Sequence, residues 1–396
     1  MTNLPVPAFA SNEKLRVAVI LSGRAQFSVY FGGALTRWTH EVYHRLLSQI
    51  DVTVFGFPTD PATCYPLPHD ANGWWRTSLA LSSIPGLRRF QDSVWLWSLR
   101  KQLRTYEIIH IHNRPQWAAA VRRLGYKGTV VVHLQNDHLG HWTGPMLDNL
   151  ATQLDAVVVC STYLRDQFCP KSKAIAAKTH LIFNGVNTEL FHPDENLREP
   201  KTIFFVGSFI PNKGVLELVK AYALLLDRHP DAKLVIGGSK TFGIEGSTPY
   251  TQKVRQLADA IRRDKGNEIQ FIGYLHHDKD LPKWFQRATI FSCPSLFQEP
   301  FGLVNAEAMA CATPVVGTNR GGVPEVLGNS GRVVNPENTM EFAAALDALM
   351  SSPEERIRLG RTGYERSREV FDWGLIAEQW LEFLQRMAKA QNLQAT

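Results

Sequence analysis

The stretch PSLFQEPFGLVNAEAMACATPVVGTNRGGVPE, residues 294–325, decides the fold. It follows an apolar run, ATIFSC, and reads as strand, turn, alanine-rich helix and second strand. Parallel α/β sheets are built from such units, and at a turn like the one at Gly302 backbone N–H groups converge on an anion or on sugar hydroxyls. The stretch therefore predicts a doubly wound α/β domain with a ligand site at this turn.

Two carboxylates flank the turn. Glu299 precedes the helix, and Glu307 is predicted in its first turn, so both could reach one crevice. A carboxylate can accept paired hydrogen bonds, which suits the vicinal hydroxyls of a ribose or a hexose. The alternative is that Glu307 only favours the positive helix N-terminus and that Glu299 is solvated. Composition alone gives the two interpretations about equal weight.

Short apolar runs rich in β-branched residues recur on both sides of this stretch, with amphipathic helical segments between them. The first series of predicted strands covers residues 16–22, 52–57, 107–112, 129–133 and 156–160, and HLIFN from residue 180. The second series starts at residue 202 and continues at 233–237, 269–272, 289–293 and 314–317. Two series predict two Rossmann-like sheets.

A polar stretch, FHPDENLREPK at residues 191–201, separates the two series and is typical of a linker. It predicts an N-terminal domain over residues 1–194 and a C-terminal domain over residues 195–374. The last helix, about 375–396, is expected to pack back on the first domain. Its apolar residues recur at three- and four-residue spacings, so it should lie along an apolar groove.

The composition is that of a globular protein. The 396 residues exceed the size of a single core, and 44% hydrophobic with 20% charged residues excludes a disordered or collagen-like chain. The net charge is +6, and residues 1–196 hold 19 Lys and Arg against 14 Asp and Glu. This mild excess favours an anionic partner, but no recognised nucleic-acid-binding module is present.

The five cysteines are scattered and odd in number, which argues against a disulfide framework or a zinc site and favours a reducing compartment. The sequence has no apolar run of membrane-spanning length, and its start lacks the pattern of a signal peptide. We expect a cytoplasmic protein, with the inner face of the membrane as an alternative location.

Two further loops could bind an anion. VGSFIPNKG, residues 206–214, follows the first strand of the second series and carries Lys213 just before a helix. Gly32 and Gly33 form a glycine pair before the first helix, which by itself is weak evidence. In isolation Lys213 is more simply an exposed lysine at a strand-to-helix turn.

Six motifs, taken in order, resemble the retaining glycosyltransferases of family 4, which have the two-Rossmann-domain fold called GT-B. They are the glycine pair, LIFNGVNTELFHP (181–193), VGSFIPNKG, FIGYL (271–275), the E-x7-E pattern of Glu299 and Glu307, and GGVPEV (321–326). The resemblance covers essentially the whole chain. It implies two domains facing each other across a cleft, with the strand ends of both lining one site.

The resemblance also implies residue roles. Glu307 would hold the ribose of a nucleotide sugar and Glu299 the donor sugar, while Lys213 would neutralise the diphosphate. His133 matches a family position near the reacting sugar; its alternative is a buried strand-end histidine. The implied catalytic residues are Glu299, His133 and Lys213. The implied donor-binding residues are Gly32, Gly33, Gly207, Ser208, Lys213, Tyr274, Leu275, Glu299, Phe301, Gly302, Leu303 and Glu307.

Ser208 departs from the family, which commonly has arginine at this position. Serine carries no charge, and a lost charge-assisted hydrogen bond is worth about 1.5–3 kcal/mol. The resemblance nevertheless favours a retaining hexosyltransferase that needs no metal or other cofactor. Its donor would be a nucleotide sugar, with UDP as the expected nucleotide. A non-catalytic nucleotide-sugar-binding or scaffold protein is the alternative.

The acceptor side is expected in the N-terminal domain. The segment VWLWSLRKQLR, residues 94–104, is basic and aromatic, and Trp74, Trp75 and Arg76 form a second such cluster. These segments could lie on an anionic membrane that presents a lipid-linked acceptor, or they could be an ordinary amphipathic helix with its tryptophans in the core. Cell-surface glycan assembly, such as that of lipopolysaccharide, exopolysaccharide or spore-coat glycan, is the expected setting.

Several histidines are concentrated between residues 110 and 141, namely His110, His112, His138 and His141. Their number is compatible with a metal, but the implied chemistry needs none. We therefore expect strand-end histidines that line a sugar cleft, and no metal ligands.

Overall fold

The computed structural model describes residues 14–21, 27–28, 33–56, 64–70, 87–238 and 248–395. The strands of this part of the chain are β1 (Leu15–Ile20), β2 (Ile50–Phe55), β3 (His69–Asp70), β4 (Ile108–His112), β5 (Thr129–Leu134), β6 (Ala156–Val159), β7 (Thr179–Leu181), β8 (Thr202–Val206), β9 (Lys233–Gly237), β10 (Ile269–Gly273), β11 (Ile290–Cys293), β12 (Val315–Thr318) and β13 (Gly331–Val334).

The α-helices of the described residues alternate with these strands. They are α1 (Ala34–Arg45), α2 (Leu87–Leu103), α3 (Gln116–Arg123), α4 (Gly144–Ala151), α5 (Thr162–Phe168), α6 (Lys173–Ala176), α7 (Val215–Leu225), α8 (Pro249–Lys265), α9 (Leu281–Arg287), α10 (Leu303–Ala310), α11 (Val323–Leu327), α12 (Thr339–Ser351), α13 (Pro353–Val370) and α14 (Trp373–Ala395).

The strands form two sheets, as the two series of apolar runs predict. The first has the order β3-β2-β1-β4-β5-β6-β7 and the second the order β10-β9-β8-β11-β12-β13. In each sheet the order reverses beside the first strand, between β1 and β4 and between β8 and β11. Ligands of α/β proteins bind beyond the carboxyl ends of the strands at such a reversal. The prediction of two Rossmann-like, doubly wound sheets is confirmed.

The chain divides into two compact units. One comprises Met1–His133, Thr152–Ala156 and Trp380–Thr396, and the other comprises Leu134–Ala151 and Val157–Gln379. The strands β6 and β7 are counted with the second unit. The predicted division of the chain at residues 194 and 195 stays a prediction.

The core of the second unit lies under the β8 side of its sheet. Helix α7 contributes Leu218, Val219 and Tyr222, and α12 contributes Phe342 and Leu346, all without exposed surface. Burying one such side chain contributes about 1.5–3 kcal/mol, so this contact fixes the helix that begins just after Lys213.

The apolar pattern of the last helix, α14, is confirmed in its burial. Trp373, Ile376, Trp380 and Leu384 are buried. The Trp380 indole donates to the hydroxyl of Tyr43 at 3.1 Å in the first unit, and in the second unit the Trp373 amide donates to the Val186 carbonyl at 3.2 Å. The helix therefore contributes buried side chains to both units.

All five cysteines carry free thiols. Among the described residues, no helix combines the length and the apolarity that crossing a bilayer would require.

Gly214 fixes the approach of two loops. It caps α7 in the left-handed region, with φ 70°, and a Cβ atom there would lie 1.9 Å from the carbonyl oxygen of Pro294. A residue with a side chain could occupy this position only if the loop after β11 moved away. The turn after β8 therefore lies directly against the loop after β11.

We predict that Gly214→Ala destabilises the protein more than Gly266→Ala does. Both glycines are left-handed, at φ 70° and 76°, but a Cβ at Gly266 would have no atom within 4 Å. Gly266→Ala should therefore cost only the backbone penalty of about 1–2 kcal/mol. Gly214→Ala should add the clash with Pro294, and its unfolding midpoint in urea should be clearly lower. Equal midpoints for the two variants would contradict this account.

Candidate functional site

The candidate site is formed by the two loops that leave the neighbouring strands β8 and β11. A 3₁₀ turn, Pro211–Lys213, follows β8. Its Asn212 carbonyl accepts hydrogen bonds from the amides of Leu296 (2.8 Å) and Phe297 (3.2 Å), and Ser295 Oγ lies 3.0 Å from the same carbonyl. One carbonyl thus joins the two loops, and Gly214 permits the contact.

Lys213 and Glu299 meet where the loops join. The Lys213 ammonium donates to Glu299 Oε1, and Ser295 Oγ donates to the same oxygen at 2.9 Å. The Glu299 side chain is 12% exposed and that of Lys213 is 32% exposed. An ammonium has three N–H donors, so Lys213 keeps N–H donors for an anionic ligand. Glu299 Oε2 is left to accept a hydrogen bond from a ligand.

The charge of Lys213 is maintained by this pairing. Burial disfavours the ammonium, but the Glu299 carboxylate and its hydrogen bond outweigh burial, and the pKa of Lys213 is raised above its ordinary value. Because the raised pKa belongs to the folded state, the pair stabilises the fold at neutral pH and loses this effect as the pH rises through that value.

The glycine pair of GGVPE holds the backbone of Glu299. Gly321 has φ 63°, and a Cβ there would lie 2.1 Å from the Glu299 carbonyl oxygen. That oxygen accepts the Gly322 amide at 2.7 Å. Farther along the motif, the Glu325 carboxylate accepts the Thr162 amide at 2.8 Å at the start of α5. The motif therefore holds the loop that carries Glu299 and the start of α5 in place.

Glu307 is the second buried carboxylate. It is the fifth residue of α10, so the prediction that it lies in the first turn is wrong by one turn. Its Oε1 is 2.8 Å from Nε2 of His277, and its side chain is 6% exposed. Oε2 is buried and has no hydrogen-bond partner among the described residues. A simple role at the helix dipole does not account for this placement, because that effect is confined to the first turn.

The remaining donor-binding candidates of this unit fall into two groups. Gly207 and Ser208 follow β8, and Tyr274 and Leu275 follow β10, which β9 separates from β8 in the sheet. The Gly207 amide donates to the Gly237 carbonyl at 3.2 Å, so it already has a backbone partner. Tyr274 is 41% exposed, which leaves its ring available to stack on a planar ligand.

Phe301, Gly302 and Leu303 form the start of α10. The Phe301 ring is buried and packs on Phe371 at 5.4 Å between ring centroids, so it anchors the loop. Gly302 caps α10 with φ 83°, and Leu303 is its first residue. The first amides of a helix have no intrahelical partner, as an anion or hydroxyl site requires.

The glycine pair of the first unit can be placed only in part. Gly33 caps α1 in an extended conformation, and a Cβ there would meet no atom within 4 Å. Gly32 lies outside the described residues, as do Trp74, Trp75 and Arg76.

The structure favours the alternative for His133. Its side chain has no exposed surface and lies among the rings of His110, His112, Trp38 and Trp380. Burial lowers the pKa of His133 to about 3. A ring enclosed in this way does not reach a sugar, so the role near the reacting sugar is not supported. The same burial of His110 and His112 corrects the expectation that they line a cleft.

Helix α2 divides its two tryptophans between core and solvent. Trp95 is 4% exposed and packs on Trp117, with ring centroids 5.6 Å apart. Trp97 is 54% exposed, and the Arg100 guanidinium lies 3.8 Å over its ring. The prediction of an ordinary amphipathic helix with its tryptophans in the core thus holds for Trp95 but not for Trp97, which is an exposed aromatic residue.

Sequence reasoning missed three residues of the site, namely Asn212, Ser295 and His277. Asn212 acts through its backbone, which no side-chain pattern reveals. Ser295 is the second residue after β11, and His277 is the second residue after the FIGYL motif, so their positions after strands are the available signal. A fourth polar contact joins Asn184 of LIFNGV to Gln135, with Nδ2 to Oε1 at 2.7 Å.

Two family models match the chain, and together they run from residue 32 to residue 366. Residues 32–190 match the model described as Glycosyltransferase Family 4, and residues 187–366 match Glycosyl transferases group 1.

The chain is also similar to individual proteins over most of its length. The chain is 27% identical to spore coat protein SA of Bacillus subtilis over 71% of its own length and 78% of that protein. It is 29% identical to alpha-maltose-1-phosphate synthase of Mycobacterium tuberculosis over 90% and 96% of the two chains. The structure of Anabaena HepE in complex with UDP-glucose aligns with a TM-score of 0.68 at 18% identity, over 93% of this chain and 99% of HepE, and shows the same fold.

We predict that Glu299→Gln lowers the pKa of Lys213. With the carboxylate gone, the burial that disfavours the ammonium is no longer outweighed. NMR titration of the protein with ¹³C-methylated lysines would report this pKa. Ser295→Ala, the matched control, removes a neutral hydrogen bond from the same oxygen and should leave the pKa of Lys213 raised. An unchanged pKa in Glu299→Gln would refute the assignment of the pair.

Proposed function

The chain belongs to the glycosyltransferases of group 1 and family 4, which have the GT-B fold, and on this basis we propose that it transfers a hexose from a nucleotide sugar with retention of configuration. The donor is a UDP-hexose, and the reaction needs no metal. The observation that carries this proposal is the joined Lys213–Glu299 pair with the buried, half-partnered Glu307 in the same unit.

Each of these groups suits one part of a nucleotide sugar. Glu307 Oε2 is a buried acceptor without a partner, and an unsatisfied buried group costs about 1–3 kcal/mol, so a ribose hydroxyl that donates to it gains this energy. Glu299 Oε2 would accept from the donor sugar. The remaining N–H donors of Lys213 would bind the diphosphate, together with the first amides of α10. The structure of HepE in complex with UDP-glucose supports UDP as the nucleotide of the donor.

The proposed reaction balances as follows. The bond between the anomeric carbon and the β-phosphate oxygen breaks, and a bond from that carbon to the acceptor hydroxyl oxygen forms on the same face. The hydroxyl proton passes to a phosphate oxygen of the leaving nucleoside diphosphate. Lys213 stabilises the negative charge that develops on this leaving group, which is the main electrostatic task of the step. Glu299 is proposed to orient the sugar through Oε2, while its Oε1 binds Lys213 and Ser295, and no covalent intermediate on Glu299 is part of the proposed step.

The acceptor is proposed to be a glycan or a lipid-linked glycan of a cell surface. Similarity to spore coat protein SA supports this setting. Contact with an anionic membrane stays a prediction that rests on the exposed Trp97 and its neighbours Arg100 and Lys101, and flotation with anionic vesicles would test it. Arg104 is a poor choice for that test, because it donates to the Leu124 carbonyl within the fold.

One observation favours a second candidate, a nucleotide-sugar-binding protein without turnover. Ser208 stands where the family commonly has arginine, so Lys213 is the cation of this loop. Loss of one charge-assisted bond to the leaving group weakens transition-state stabilisation more than it weakens binding. Binding of UDP-glucose without transfer or donor hydrolysis would support this candidate.

We predict that Glu307→Ala weakens binding of UDP and UDP-glucose by at least about tenfold, which corresponds to the loss of about 1.4 kcal/mol of hydrogen bonding to the ribose. Isothermal titration calorimetry with these two ligands, and with GDP and ADP for comparison, measures the effect. Glu337→Gln is the control, since this carboxylate is 61% exposed and pairs with Arg320. If Glu307→Ala binds UDP as wild type does, or wild type binds no nucleotide, the donor site is wrongly assigned.

We predict that the anomeric configuration of the donor is kept in the product. Attack on the face that the phosphate leaves requires this outcome, whereas a single in-line displacement inverts the centre. Proton NMR of the product, recorded early in a reaction with an α-linked donor, distinguishes the two anomers. A β-linked first product, or a glycosyl adduct trapped on a side chain, would refute the proposed step.

A further inference from the structure

Three histidines lie on one face of two neighbouring strands in the first unit. His110 and His112 are two positions apart on β4, so their side chains point to the same face of the sheet. His133 on β5 is directly paired with His112 in the parallel register. The ring centroids of His110 and His112 are 4.1 Å apart, and His133 lies 5.4 and 5.1 Å from them.

This cluster is closed by aromatic rings. Trp38 of α1 lies 4.4 Å from His133, and Trp380 of α14 lies 4.6 Å from His110, measured between ring centroids. None of these five side chains has exposed surface. Polar nitrogen atoms in such a place are costly unless each has a partner.

The hydrogen bonds around His112 favour one tautomer. The Thr39 hydroxyl has one proton, and the Leu35 carbonyl, 3.0 Å away, can accept it. With the proton on that bond, the contact of 3.1 Å between Thr39 Oγ1 and His112 Nε2 uses a proton on the histidine. His112 Nδ1 is then a bare lone pair, and it is buried without a partner among the described residues.

A hydroxyl also contacts one nitrogen of His110, and the tautomer of His110 decides which of the two atoms donates. Its Nδ1 lies 2.9 Å from the hydroxyl of Tyr43, which also accepts from the Trp380 indole. Its Nε2 is buried and has no partner among the described residues. Each of these two rings is thus held by a hydroxyl at one nitrogen, while its other nitrogen is unpartnered. Second-sphere hydrogen bonds orient metal-binding histidines in this way.

We propose that His110, His112 and His133 bind a divalent transition-metal ion of the zinc class, which ties β4 and β5 together beneath α1 and α14. Imidazole nitrogen is a preferred ligand of Zn²⁺, and the three histidines would supply three of the four positions of a tetrahedral site. The ion is structural, and it takes no part in the proposed transfer reaction.

The geometry is close to what such an ion requires. One nitrogen from each ring can be chosen so that all three lie within 4.8 Å of one another. Around tetrahedral Zn²⁺, with Zn–N near 2.05 Å, these nitrogens would be about 3.3 Å apart, so small rotations of the rings that close at most about 1.5 Å complete the site.

Co²⁺ titration of the full-length chain, without a polyhistidine tag and stripped with a chelator, tests this proposal. We expect visible ligand-field bands of tetrahedral Co²⁺ that saturate at about one ion per chain and disappear when Zn²⁺ is added. Elemental analysis of protein from zinc-supplemented cultures should give the same stoichiometry. A wild-type chain that shows no saturable band would overturn the proposal.

Two variants and one control locate the ion. His112→Gln removes one ligand and should abolish the tetrahedral band. Thr39→Val is nearly isosteric, removes only the partner of His112, and should weaken the affinity for Co²⁺ by about 10- to 100-fold. His141→Gln changes an exposed histidine and should bind as wild type does. If His112→Gln does not fold, Thr39→Val decides, and unchanged affinity in Thr39→Val would refute the assignment.

Discussion

The close contact between the turn after β8 and the loop after β11 is the constraint on which the candidate site depends. Parallel pairing puts the ends of the two strands side by side, but only a glycine at position 214 lets the turn reach the Pro294 carbonyl. Asn212 then bonds the loop, and Lys213 meets Glu299. A carboxylate that is 12% exposed would be costly without this cation, so the loop contact and the ion pair stabilise each other.

Much of this arrangement could be predicted from the sequence, because it depends on local patterns. Apolar runs predicted the strands, and the alternation with helices predicted parallel sheets. The strand–turn–helix pattern indicates Glu299, Glu307 and Lys213 as candidates, and the family resemblance assigns their roles. What could not be predicted is that Lys213 and Glu299 bind each other. They are 86 positions apart, and the family resemblance assigns them to different parts of a ligand, whereas the structure makes one unit of them.

The misplaced residues share a physical reason. His133 ends an apolar strand, and sequence alone cannot tell a side chain that emerges beyond the strand from one that is covered by a helix far along the chain. Here Trp38 and Trp380 provide the cover, and the second of these is 247 positions away. His277 was missed for the converse reason. It looks like an ordinary loop residue until the fold brings it to Glu307, 30 positions later.

Among the buried polar atoms that have no hydrogen-bond partner in the described part of the chain, Glu307 Oε2 and His112 Nδ1 differ in chemistry. Glu307 Oε2 belongs to an acid whose other oxygen is held by His277, so it can only accept, and hydroxyl donors satisfy it. His112 Nδ1 is a neutral lone pair among aromatic rings, where a cation or a single N–H or O–H would satisfy it. Each would cost about 1–3 kcal/mol if it stayed unsatisfied, a substantial part of a typical folding free energy. The two atoms therefore indicate two different ligands, a polyhydroxylated molecule at Glu307 and a metal ion at the histidines, and a single ligand cannot account for both.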